Sequence, residues 1–336
     1  MWIAVVLGAV VAVLLVLSAS LPDYGKNLSL NLGADLIGTI IVLFAVSPFM
    51  ARVEGQRETV RDGFDRGGFI KRASDARREI LILELWTDLL QGTYQDRFLE
   101  SLREALRQQV KIKMLLLSPD ARAAEQRADE LLRQTNVVGD ILDNLRVLHE
   151  FVHTGIPEVH RHNIDVRVYS ALPPVQMYQV DTQVTVSFYP VNVTSWNATQ
   201  YLTSPDSQLG KFVGDKFDEL WKAGSTRSLD QFWKTTIIVD SGADRQTYDV
   251  GFVMSEEDTF ISGQPIIAAN AENGISGLVV RTFDDNVTGE QIGRGPFSLV
   301  TLEPSTEDYA TVHNLFSRKY GEDNHVILKL VGGRKN

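Results

Sequence analysis

The pentapeptide His149-Glu150-Phe151-Val152-His153 sets two imidazoles four residues apart, with a carboxylate beside the first. On a helix, residues four apart share a face, so both rings reach one metal ion and the glutamate takes a proton from metal-bound water. That is the chemistry of zinc peptidases, which also need a third protein ligand. His160 is the nearest candidate, with His162 two residues on. Metallopeptidases with a nearby third histidine follow H-E-x-x-H-x-x-G-x-x-H. Here Gly155 comes one position early and His160 one position late. The glycine matters because it fixes where the chain turns back to the metal. The reading adopted is therefore an ordinary packing helix, with Leu145, Leu148 and Val152 inward, and no cofactor. The alternative is a zinc metallopeptidase with His149, His153 and His160 as ligands and Glu150 as base.

The elements that must position these groups follow from the rest of the chain. It has 336 residues, no cysteine and a formal net charge of -10. The missing cysteines remove disulfides, thiolate nucleophiles and cysteine zinc sites. The acidic balance argues against nucleic acid as a partner, since phosphate backbones need a basic face. Two apolar runs, 3–21 and 32–50, are long enough to span hydrocarbon. They predict a transmembrane hairpin over 1–51, with a cleaved signal peptide as the alternative for the first run. Arginines and lysines follow the second run, which orients the bulk of the chain to the cytoplasmic side of a cell inner membrane.

Residues 52–68 read as a juxtamembrane linker. Beyond it "FIKRASDARRE" predicts a helix and "ILILELW" a buried strand. "FLESLREALRQQ" predicts a second helix, with Phe98, Leu102 and Leu106 spaced by four, and "VKIKMLLLSP" a second strand. One long helical stretch from Asp120 carries the histidine motif. "IDVRVYS", "VQMYQVD" and "QVTVSFYPV" read as strands and "QLGKFVGDKFDELWKAG" as an amphipathic helix. Alternating helices and buried strands give an α/β layered domain over 69–224. Residues 225–235 read as a linker and 236–336 as a small β-rich domain with one helix, 306–321.

The landmarks of 69–224, in their order, resemble the phospholipase D-like superfamily. The match covers one half-domain of the usual two. Active members carry H-x-K-x-x-x-x-D. The resemblance implies that histidine attacks phosphorus and lysine neutralises the phosphoryl oxygens. In "PVQMYQVD" Pro174 stands at the histidine position, Gln176 at the lysine position, and only Asp181 fits. Proline cannot attack phosphorus, so the resemblance implies a fold and a groove without the activity. Gln176, Asp181 and Arg127, on the helix after the Pro-Asp turn, are the candidate ligand-binding residues. Single half-domains of this kind also imply a homodimer.

The expected fold class is α/β, a phospholipase D-like layered sheet with flanking helices, preceded by two transmembrane helices and followed by a small β-rich domain. The expected function is a membrane-anchored, catalytically degenerate binding or sensing module. Its partners would be the membrane and a phosphorylated small molecule, lipid headgroup or protein. A metallopeptidase, or a phosphodiesterase with rearranged groups, is the alternative.

Overall fold

The computed structural model describes residues 59–336, apart from 172, 174, 241–244, 256–257, 270–277, 283–293, 322–325 and 335–336. In chain order the first part runs β1 (Thr59–Asp62), α1 (Arg66–Ser74), β2 (Glu79–Glu84), α2 (Gln95–Arg107), β3 (Lys111–Leu117), α3 (Arg122–Glu130) and α4 (Val137–Glu150). It continues with α5 (Glu158–Arg161), β4 (Ile164–Tyr169), β5 (Val175–Val180), β6 (Gln183–Phe188), β7 (Thr199–Thr203), α6 (Gln208–Lys222), β8 (Arg227–Ser228) and α7 (Leu229–Trp233).

The strands form one mixed sheet in the order β1-β7-β6-β5-β2-β3-β4-β8. β2, β3 and β4 are parallel, and their connections carry helices, as parallel neighbours require. Their continuous Ile and Leu runs fit central positions, because such strands bury both faces. β5, β6 and β7 continue the sheet as antiparallel neighbours. α2 buries Phe98, Leu102 and Leu106 and keeps Arg107 and Glu104 as an exposed ion pair. The long helix expected from Asp120 is broken in two. Leu132 and Arg133 both take φ 53, a left-handed conformation that ends α3. The side chain of Asn136 then accepts from the Gly139 amide and starts α4. The stretch 225–235 holds β8, which pairs with β4, and α7, whose Leu229, Phe232 and Trp233 are buried.

The second part contains β9 (Lys234–Asp240), β10 (Arg245–Ser255), β11 (Asp258–Ser262), α8 (Gln264–Ala269), β12 (Val279–Thr282), β13 (Arg294–Thr301), α9 (Glu307–Tyr320) and β14 (Ile327–Arg334). Its strands close into a barrel, β10-β11-β14-β13-β12-β9. Closure pairs every edge, which a small β domain needs to stay unaggregated. Ile237, Val250, Phe252, Ile261, Val280 and Leu328 belong to one core, and Val312 and Phe316 of α9 join Val253, Phe260 and Ile327 in another. Gly321 ends α9 at φ 71, the left-handed cap that glycine adopts without cost. The Tyr320 hydroxyl accepts from the Phe252 amide at 2.7 Å and donates to the Trp233 carbonyl at 2.7 Å.

Among the described residues no helix is long and apolar enough to cross a membrane. The longest helical run, Val137–Gly155, carries Asp140, Asp143, Arg146 and Glu150, each costly in hydrocarbon. On that finding the expected fold class is corrected to a mixed α/β layer with a closed six-strand barrel. The transmembrane description and the inner-membrane placement are corrected with it. The two apolar runs behind them, 3–21 and 32–50, lie outside the described residues.

Candidate functional site

The histidine motif straddles a change of helix. α4 ends at Glu150, and Phe151–Gly155 continues as a π-helical turn. Gly155 closes that turn tightly: a Cβ there would meet the Phe151 ring at 3.0 Å. Arg103 braces it, donating to the Gly155 carbonyl at 3.0 Å with its guanidinium over the Phe151 ring. Arg161 donates to the His153 carbonyl.

The His149 and His153 rings lie 4.4 Å apart, and His149 stacks on Trp233 at 4.3 Å and 13°. His153 Nε2 is 2.7 Å from the Asp230 carboxylate. Asp230 is positioned by a capping box at the start of α7, in which the Ser228 and Gln231 side chains each take the other's amide. His149, His153 and Asp230 each offer a ligand atom, all within 4.8 Å of one another. Burial, reinforced by the neighbouring His153, pushes the His149 imidazole down to about 4, so it is neutral at physiological pH. Two adjoining open cavities, of about 420 and 580 Å³, meet at His149, His153 and Trp233. Exposed Glu150 lines the larger. His160 is not brought to this place. It lines a separate cavity with Arg103 and Ile156.

A second arrangement lies at the carboxyl ends of the parallel strands. The pairing puts Glu84, Leu116, Val168 and Arg227 in one row across β2, β3, β4 and β8. On the other side of β2, Ile82 faces Tyr178 and Leu83 faces Met177 of β5, whose Gln176 pairs with Ser187 of β6. Glu84, Leu116, Val168 and Arg227, and the Gln176–Ser187 pair, are all buried. Burial lifts the Glu84 carboxyl to about 8, so it is protonated at neutral pH. Its Oε1 accepts from the Leu85 amide at 2.9 Å and from the Tyr189 hydroxyl at 2.8 Å. Tyr178 donates its one proton to Thr87 at 2.7 Å, which leaves its oxygen free to accept from protonated Oε2 at 3.4 Å.

At the other end of the row Arg227 is 1% exposed. One nitrogen reaches the Ser118 hydroxyl at 3.4 Å, and Nε and Nη1 have no hydrogen-bond partner. Burial lowers its affinity for its proton, against the pull of Asp120. Lys319 of α9 is buried nearby. Its ammonium donates to the Phe252 carbonyl at 2.8 Å and lies 4.0 and 4.2 Å from the Phe252 and Phe232 rings. Burial pushes it down to about 7.

The three ligand-binding candidates fall in different settings. Asp181, at φ 50, forms the β5–β6 turn, and its carboxylate accepts from the amides of Arg77, Arg78 and Glu79. It anchors the start of β2. Arg127 is buried against Glu130 and the carbonyls of Pro190 and Val193, so it clamps the loop after β6. Gln176 is buried in the polar row with both amide atoms unpartnered. Pro174 lies outside the described residues. Sequence reasoning missed Glu84, Asp230, Arg227 and Lys319. Glu84 left a signal, as the lone charge inside "ILILELW". The others sit in stretches whose partners lie far away in the chain.

No protein-family model and no curated protein matches the chain. Similar solved structures include TrmBL2, an archaeal chromatin protein with a novel mode of DNA binding. It is 17% identical, with a TM-score of 0.31 over 60% of this chain and 65% of that one. Phosphatidylserine synthase of Haemophilus influenzae is 9% identical, with a TM-score of 0.35 over 51% of this chain and 39% of that one. Polyphosphate kinase of Porphyromonas gingivalis is 11% identical, with a TM-score of 0.29 over 56% of this chain and 27% of that one. The chain thus spans less than two thirds of each neighbour. Likeness at this level carries no argument about activity.

Proposed function

We propose that this chain is a non-hydrolytic binding module of the phospholipase D-like kind, and that its ligand is a phosphorylated anion. The observation that carries the ligand class is Arg227. Its guanidinium is buried with two nitrogens unpartnered, Lys319 is buried close by, and neither makes an ion pair among the described residues. Burying a cation costs several kcal/mol unless it is closely paired; exposed Asp120 acts on both Arg227 and Lys319 as one nearby negative charge, and an anion at the Ser118 end of the row would offset the rest of that cost. Carboxyl ends of parallel strands are also where open α/β sheets take ligands.

The same row supports the absence of turnover. Where the superfamily's mechanism needs an imidazole nucleophile and a lysine, this chain has Pro174 and the neutral amide of Gln176. Glu84, on the neighbouring strand β2, is a protonated carboxylic acid, not a charged base. None of these groups attacks phosphorus. The test pairs two assays on the full chain. Pyrophosphate raises the thermal unfolding temperature, and an activated aryl phosphodiester is not hydrolysed above background. Hydrolysis that disappears in Gln176→Ala would overturn the reading.

A further inference from the structure

We infer that His149, His153 and Asp230 form a binding site for a divalent transition-metal ion of the zinc class, with an open coordination position facing the groove. The proposal is independent of the anion site. Two imidazoles and one carboxylate make a ligand set that suits zinc, and three protein ligands with a free position is the pattern of sites that engage a further molecule.

The geometry is close to what a metal needs. Tetrahedral bonds of about 2.0–2.1 Å set ligand atoms roughly 3.3 Å apart. Here the three ligand atoms all lie within 4.8 Å, and His153 and Asp230 are already 2.7 Å apart. The supports are rigid where they must be. Stacking on buried Trp233 holds the His149 ring, and the capping box holds the backbone of Asp230. The π-helical turn sets where His153 stands relative to His149, and such turns recur at functional sites. Asp230 and His153 remain partly exposed, so a metal has access. A purely structural account, in which the His153–Asp230 contact and the His149–Trp233 stack tie α4 to α7, covers these contacts but not the gathering of three ligand atoms within 4.8 Å. It also leaves unexplained why two cavities meet at this point.

The test is titration of Zn²⁺ into metal-free full-length protein, followed by isothermal calorimetry, with metal content by mass spectrometry. One zinc per chain is expected. Asp230→Asn and His153→Ala should each weaken binding by more than the ~10–100-fold that loss of an outer-shell partner costs. His160→Ala should leave it unchanged. If Asp230→Asn unfolds the protein, His149→Phe, which keeps the stack on Trp233, gives the same reading. Absence of binding, or equal loss in His160→Ala, overturns the proposal.

Discussion

Replacing Glu84 with glutamine tests the polar row through its proton. The carboxyl sits at about 8 in the folded protein and near 4.5 when free. At about 1.36 kcal/mol per decade this gap corresponds to on the order of 5 kcal/mol. The folded value is raised, so the folded state holds a proton that the unfolded chain releases. Glu84 therefore contributes stability that is fully present below pH 4.5 and is lost as pH rises through about 8. Glutamine mimics the protonated acid in size and keeps an acceptor for the Leu85 amide and the Tyr189 hydroxyl. It has no proton to lose. The assay is urea unfolding of both proteins at pH 5, 6.5 and 8. Near pH 5 the two should agree within about 1–2 kcal/mol, the scale of one buried hydrogen bond. By pH 8 the wild type should have lost several kcal/mol relative to Glu84→Gln, roughly as the linkage relation requires. Parallel pH curves would refute the reasoning, since they would mean that Glu84 holds the same charge folded and unfolded.

Two further outcomes separate structural from binding roles. Asp181→Ala removes the acceptor for three amides and asks alanine to hold φ 50. It should cost about 1–3 kcal/mol in urea unfolding and leave anion binding intact; loss of binding without loss of stability would make Asp181 a ligand contact. Lys319 has a folded value of about 7, below the free value of 10.5, so the folded state binds fewer protons across that window and stability rises with pH there. Lys319→Met should flatten this rise between pH 7 and 10, read by thermal unfolding. An unchanged slope would show that Lys319 is not the group responsible.

Much of the fold was legible where a single segment carries its own pattern. The run "ILILELW", the four-residue spacing of Phe98, Leu102 and Leu106, and the acidic start and glycine stop of 306–321 all mark elements that form. What depends on distant partners was not legible. Barrel closure requires β9 to meet both β10 and β12, which no local period encodes. Residues 225–235 read as a linker between domains, and this stretch supplies Asp230 and the Trp233 stack. His160 was attractive for its spacing in sequence, but a π-helical turn and Pro157 intervene and carry it to another cavity. The motif itself named two of the three groups that the fold brings together.

The central claim is that Arg227 answers a phosphorylated anion. Its most direct test is thermal unfolding of the full chain with saturating pyrophosphate, in the wild type and in Arg227→Met, which keeps apolar volume and removes the charge. A ligand at a hundredfold its Kd adds ~2.7 kcal/mol. At about 2.1 cal/mol/K of unfolding entropy per residue, a chain of 336 residues shifts by about 1.4 °C per kcal/mol, so the wild-type midpoint should rise by roughly 4 °C. The variant should stay folded and show no rise. An equal rise in both proteins, or none in the wild type, would contradict the account.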